Sequence, residues 1–277
     1  MATDGLSLVA FMDQPAAVNH LRIHCVPKDP ADAALIAEWT TARAKLGNPI
    51  ERAGNPDIQP IPAAHAPYIQ NLSMLPWVAP SLAMLPGASF VSVEIDPLLA
   101  FQFTVDVDRS GHHCGALNNP PTFEQLLRVC LPDTVMRDTM QQSVQGQSAI
   151  IKSRSLNIVK VGAGIAGDFM GLQFGNALPF AHVVRLNGRC YLHNGFHRAY
   201  GVRKAGATHM PCLFRDVPDA TTAGIKTGGE TFPLALLEST NPPAVGHFTQ
   251  DRAHSVRMRA HSRILHVSWA EYVVWDE

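Results

Sequence analysis

Apolar positions change period several times along this chain, and each change predicts an element. Near the N-terminus, "HLRIHCV" alternates with Leu21, Ile23 and Cys25 on one side, the period-two pattern of a short strand. From Pro30 to about Leu46 the spacing becomes helical, with Asp29 placed as cap. Two proline-rich stretches follow, "GNPIERAGNPDIQPIPAAHAPY" and "NLSMLPWVAPSLAMLPGA". Their prolines recur too often for long regular elements and predict irregular chain wrapped on the surface of something else. The strongest order lies in the middle. There "SFVSVEID" and "LAFQFTVDV" alternate as strands, and "TFEQLLRVCL" sets Phe123, Leu126, Leu127 and Cys130 on one helical face behind a Thr122 cap. "QQSVQGQSAI" reads as a polar hinge. The last part has a helix-compatible "FPLALLEST" before Asn241-Pro242-Pro243, and then the strand-like "RILHVSWAEYVVW".

Composition narrows the class. A chain of 277 residues, 46% hydrophobic, can bury a substantial core in one or two domains. With 22 basic and 23 acidic residues the formal charge is -1, so nucleic acid or an anionic membrane has no global attraction to it. The N-terminal segment has no basic leader, and its apolar piece is broken by Asp13 and Pro15. Neither a signal peptide nor a membrane span is expected, and the predicted location is cytoplasmic. The five cysteines fall at irregular spacing without a Cys-x-x-Cys, which predicts reduced thiols and no disulfide.

Two glycine-rich places invite a phosphate. The first is "VGAGIAGDFMG", whose Gly162, Gly164 and Gly167 match the dinucleotide fingerprint after a strand-like run. Its surroundings argue otherwise. A continuous helix should follow, yet Gly171, Gly175 and Pro179 interrupt the next residues, and the following strand supplies Arg185 where an acid should hold the ribose. A flexible glycine loop is the expectation there.

The second place begins at Val183. "HVVRL", the turn Asn187-Gly188 and "RCYLH" read as a hairpin, since Asn-Gly between alternating apolar residues is a strong turn signal. After Asn194-Gly195, "FHRAYGVRKAG" has helical spacing and ends at Gly206, and "MPCLF" returns as a strand. The turn therefore sets unbonded amides at a helix N-terminus beside Asn194, His197 and Arg198, an arrangement suited to an anion.

The run "GLQFGNALPFAHVVRLNGRCYLHNGFHRAYGVRKAGATHMPCLF" resembles the nucleotide-binding core of the ParB/sulfiredoxin superfamily. That core has a Gly-Leu-Gln-Pro-like piece, a strand pair, a Gly-x-His-Arg turn opening a helix and a Val-Pro-containing strand. "SVEIDPLLAFQ" and "TFEQLLRVCL" are similar to its first strand and first helix. The resemblance implies an α+β fold in which a mixed sheet with helices holds the phosphates of ATP or CTP at the start of the Phe196 helix. Gly195 would be a backbone donor, His197 and Arg198 phosphate ligands and Asn194 the residue shaping the turn, with Gln173 a further contact. Departures are as informative. Phe196 stands where sulfiredoxins carry their nucleophilic cysteine. Partition ParB proteins have Glu and Arg at the positions of Phe196 and His197 and add a helix-turn-helix, for which the strand-like residues after 216 are unsuited. Members that act as small-molecule kinases keep a His-Arg pair like this one.

The expected organisation is a wrapping region at 1–88, a nucleotide-binding domain at 89–216 and an extension at 217–277. The leading function is phosphoryl transfer or nucleotide hydrolysis, with magnesium bridging the phosphates of ATP or CTP and Glu94 or Asp96 assisting transfer to a small-molecule or protein acceptor. The rival is a nucleotide-gated switch without turnover, touching nucleic acid or a protein through the four arginines and two histidines between Asp251 and Arg263. His112-His113-Cys114 looks like half a zinc site, but adjacent ligands cannot easily share one metal and no partners stand at a standard spacing.

Overall fold

The structure, a computed structural model, describes residues 2–27, 30–134, 140–153, 158–166, 169–176, 178–223, 231–259 and 263–270. In chain order come β1 (Ala2–Ser7), α1 (Gln14–His24), α2 (Asp32–Ala44), β2 (Ile58–Pro60), α3 (Ala66–Met74), α4 (Ala79–Ala83), β3 (Ser89–Glu94), β4 (Leu99–Ala100), β5 (Thr104–Asp106), α5 (Val107–Cys114) and α6 (Phe123–Cys130). They are followed by β6 (Met140–Gln145), β7 (Ser148–Ser153), β8 (Ile158–Ala166), β9 (Phe169–Asn176), β10 (His182–Leu186), β11 (Arg189–Asn194), α7 (Phe196–Lys204), β12 (His209–Asp216), α8 (Leu234–Leu237), β13 (His254–Arg259) and β14 (Arg263–Ser268). The protein is mixed α+β. None of its described helices is long and apolar enough to cross a membrane.

The chain divides into two compact units. One comprises 1–133 with 180–259, and the other 134–179 with 260–277. These boundaries differ from those expected at 88 and 216. The N-terminal region does not merely wrap a central domain, because Leu6, Leu8, Val9, Leu21 and Leu35 belong to the same buried core as Val183, Leu192 and Met210.

In the first unit a six-stranded sheet has the order β2-β3-β12-β10-β11-β4. It is mixed: β10 runs parallel to β12 and β11 parallel to β4, whereas β10–β11, β12–β3 and β2–β3 are antiparallel. A three-stranded antiparallel sheet, β13-β1-β5, belongs to the same unit. The hairpin expected at Asn187-Gly188 forms, with φ of 51° and 76°, because only residues that tolerate a left-handed backbone close so tight a connection. The Thr122 cap is also present, completed to a capping box by Gln125.

Elsewhere side-chain packing and capping override the alternation read from sequence. Residues 20–26 are not a strand, since His20 to His24 form the last turns of α1, which starts at Asp13, whose carboxylate accepts the Ala16 amide at 2.8 Å with Pro15 in the first turn. Leu21 is fully buried and Ile23 exposed, which a helix permits and a strand with both on one face does not. Pro67 and Pro80 likewise open α3 and α4. The expected Asp29 cap lies outside the described residues, and α2 begins after Ala31 without a side-chain cap. "LAFQFTVDV" is two short strands, β4 and β5, with Val107 already helical.

The second unit contains a three-stranded antiparallel sheet, β14-β7-β6, and the separate hairpin β8–β9. The polar "QQSVQGQSAI" is therefore strand, turn and strand, not a hinge. Gly162 and Gly164 sit in strand β8, paired with Gln173 and Gly171 of β9, so the expected glycine loop is instead paired backbone, while Gly167 lies outside the described residues.

Candidate anion site at the start of the Phe196 helix

Strand β11 ends at Asn194, and the chain turns at Gly195 into α7. Gly195 has φ 96° and ψ 22°, a left-handed N-cap that makes no side-chain capping bond. A Cβ there would lie 2.9 Å from the Ala181 Cα, so the backbone crosses too closely for any side chain. The first carbonyl of the helix, that of Gly195, accepts from Ala199 at 2.8 Å, leaving the amides of the preceding turn outside the helical ladder. The Gly195 amide itself donates to Asn194 Oδ1 at 2.8 Å. Gly195 thus shapes the corner but is not the open donor expected of it. Phe196 and Arg198 retain amides with no hydrogen-bond partner among the described residues.

Arg198 is the least ordinary group here. Its side chain is only 8% exposed, and no carboxylate pairs with it among the described residues. Burial, the largest influence, lowers its pKa; the Cys130 and Cys114 thiols oppose this and the neighbouring Arg109 adds to it. An isolated buried cation costs several kcal/mol unless an anion compensates it. Arg109, on α5, had no signal in the sequence. It is brought near because α5 crosses α7 closely: a Cβ on Gly201 would stand 2.4 Å from Cys114 Sγ and 2.6 Å from Ser110 Oγ. Cys114 in turn places its thiol 3.9 Å from the Arg198 carbonyl oxygen.

The sheet end beside this turn carries two imidazoles that sequence reasoning did not connect. His182 and His193 lie with ring centroids 5.0 Å apart, and His193 meets Phe101 edge-on. Burial, then His193 and Arg215, push His182 down to about 3, and burial with Arg215 lowers His193, so both rings are neutral near pH 7. His182 Nε2 and Arg215 Nε are enclosed without hydrogen-bond partners among the described residues.

The expected carboxylates are not part of this site. Glu94 pairs with Arg52 and accepts the Asp57 amide at 2.9 Å, on a strand lying between β2 and β12, not at an edge. Asp96 forms a two-pronged pair with Arg203 in the last turn of α7. That is the far end of the helix, about 12 Å from Gly195 at 1.5 Å rise per residue. Gln173 lies on β9 in the other unit, and its side chain is outside the described set.

The remaining candidates are occupied or dispersed. No group of three or more His, Cys, Asp or Glu able to hold a metal occurs among the described residues. Cys114 is buried against α7, whereas His112 is exposed at the end of α5, so the zinc half-site does not assemble. All five cysteines are free and buried, with thiols pushed up to about 11 for Cys25, Cys114 and Cys190, to about 12 for Cys130, and well above the ordinary value for Cys212, by burial above all. None of them is a ready nucleophile. In the arginine-rich segment, Arg257 pairs with Asp4 at 2.6 Å, Arg252 and Arg259 bond the carbonyls of Asn48 and Pro27, and His254 lies 3.5 Å from Glu38. Each of these three arginines uses one guanidinium nitrogen in these contacts, and His261 and the Arg263 side chain lie outside the described residues.

No family model matches the chain, and neither a curated protein nor a solved structure is significantly similar to it.

Proposed function

We propose that the first turn of α7 holds the phosphates of a nucleoside triphosphate, ATP or CTP, in a fold of the ParB/sulfiredoxin kind. The observation that carries this reading is the buried Arg198 guanidinium with no carboxylate partner among the described residues, next to Arg109 and at a helix start whose cap makes no side-chain bond. A phosphate would supply the missing negative charge and accept from the Phe196 and Arg198 amides. His197 supplies a further contact as the resemblance implies, and Asn194 holds the corner. This donor set fits phosphate. It does not fit a protein-ligated magnesium, because Glu94 and Asp96 are committed to Arg52 and Arg203, so magnesium would arrive with the nucleotide and rest on its phosphates.

Any phosphoryl transfer would accordingly rest on charge stabilisation by Arg198 and its neighbours, with Glu94 and Asp96 outside the reaction. Calorimetry with the magnesium complexes of ATP and CTP tests the site: Arg198→Met should weaken binding at least about tenfold, or 1.4 kcal/mol. Equal affinity in the variant removes the proposal. Released phosphate, measured in the same samples, separates a turnover enzyme from a nucleotide-binding protein without catalysis.

A further inference from the structure

A cavity of about 740 Å³ lies in the first unit, between α1, Phe103 and the segment that leads into α8. Its volume suits a small organic molecule. Phe232 links the apolar walls, meeting Phe103 edge-on at 4.7 Å and Phe11 edge-on at 6.3 Å between ring centroids, and Leu236 completes them. Ile23 also lines the cavity and is 52% exposed, so apolar surface continues to its mouth.

Charge in the lining has one sign. Asp13, exposed at the N-cap of α1, is its acidic residue, and neither lysine nor arginine joins it among the described residues. Its Oδ1 accepts the Ala16 amide at 2.8 Å, whereas Oδ2 has no partner among the described residues. The lining also holds the imidazoles of His20 and His24, with ring centroids 4.7 Å apart. Burial above all, with His24 adding to it, brings His20 down to about 4, so that ring is uncharged near pH 7 and does not repel a cation. An anion entering here would meet a carboxylate with no compensating lysine or arginine among the described residues. A cation would meet an open carboxylate oxygen beside aromatic rings, and both contacts favour it.

We propose that this cavity binds an amphipathic amine, whose protonated nitrogen donates to Asp13 Oδ2 at the rim while its aromatic body packs among Phe11, Phe103 and Phe232. The exposed position of Asp13 leaves the charged end partly in water, so neither ion bears the cost of full burial. The walls supply most of the affinity, and Asp13 selects the charge.

Three probes of similar shape separate the alternatives: 2-phenylethylamine, 2-phenylethanol and 3-phenylpropanoate carry a cationic, a neutral and an anionic end. At pH 8 the amine is protonated while an unconstrained imidazole is neutral. Titrated into isotope-labelled protein at low salt, the amine should shift the Asn19 side-chain amide and the His20 ring signals, and bind about fivefold more tightly than the alcohol, with the carboxylate weakest. Added salt should narrow the gap. Asp13→Asn keeps an acceptor for the Ala16 amide and caps a helix as well as aspartate does, so α1 should persist while the amine falls to the affinity of the alcohol. Phe232→Leu should instead weaken all three probes alike. No shift at Asn19 and His20 with the amine, equal affinity of wild type for amine and alcohol, or a preference for the amine that survives in Asp13→Asn overturns the inference.

Discussion

Gly195 and Ala181 approach so closely that a Cβ added to the glycine would overlap the alanine Cα at 2.9 Å. This contact joins the start of α7 to the chain entering β10, and the left-handed φ of 96° makes it available to glycine alone. Gly195→Ala combines a strained backbone with a steric overlap, terms of about 1–2 and 1–3 kcal/mol. A loss of about 2–5 kcal/mol in urea unfolding is expected. An unchanged midpoint would show that the corner is looser than described.

Arg198 should behave in the opposite way. A buried cation with no carboxylate partner among the described residues weakens the ligand-free fold, so Arg198→Met, which keeps the apolar stem, should melt at the same temperature or higher in phosphate-free buffer. Inorganic triphosphate should raise the melting temperature of wild type and leave the variant where it was. A variant that melts lower and still responds to triphosphate would contradict the role assigned to Arg198.

These two residues show how much was legible in advance. The hairpin, the turn and α7 were readable because Asn187-Gly188 and Gly195 carry local backbone requirements that no tertiary contact can alter. The Arg198 side chain was identified for its chemistry, but its burial was not, because this depends on α5 crossing at Gly201, a contact between residues far apart in sequence. Glu94 and Asp96 misled for the same reason: the strand was correctly placed, yet Arg52 and Arg203, distant in the chain, occupy the two carboxylates. In α1, alternation of Leu21, Ile23 and Cys25 fits strand and helix alike over so short a run, and the Asp13 cap with Pro15 decides for helix.

The pair between Asp96 and Arg203 gives a prediction that separates scaffold from site. Both side chains are partly exposed, so Asp96→Asn should cost no more than about 1 kcal/mol of stability. Nucleotide affinity should be unchanged, since the pair belongs to the C-terminal end of α7. A tenfold loss of affinity in calorimetry would return Asp96 to the binding site.

Thiol chemistry should report folding and nothing else. All five cysteines are buried and their thiols are held protonated by that burial, so a thiolate-specific reagent should label none of them in native protein at pH 8 over minutes. In denaturant all five should react. Fast labelling of one thiol in native protein would reveal an opening that the structure does not contain.

Acid should weaken the fold in a window set by histidine. Burial above all brings His20 and His247 down to about 4 and His182 to about 3, against 6.5 for an unconstrained ring. His24 adds to the effect at His20. His193 and Arg215 do so at His182, and Arg252 at His247, where a backbone bond with Ala244 and the charge of Asp96 pull the other way. Above pH 6.5 the three rings are neutral in both native and unfolded chains, and stability is at its full value. Below 6.5 the unfolded chain takes up protons that the native rings refuse, so stability falls until the native pKa values are reached near 4 and 3. Each ring contributes about 1.4 kcal/mol per pH unit at the steepest, and three acting additively approach about 4 kcal/mol per unit between pH 6 and 4.5. The depressed carboxylates, Asp57, Asp216, Asp219 and Asp251, act in the same direction only below their ordinary 3.8, so the two windows separate. Urea unfolding measured from pH 7.5 to 4.5 should show this slope, and His182→Asn should reduce it by about a third. A flat profile over that range would mean that these imidazoles are hydrated in solution and that the packing around His182 and His193 is not as described.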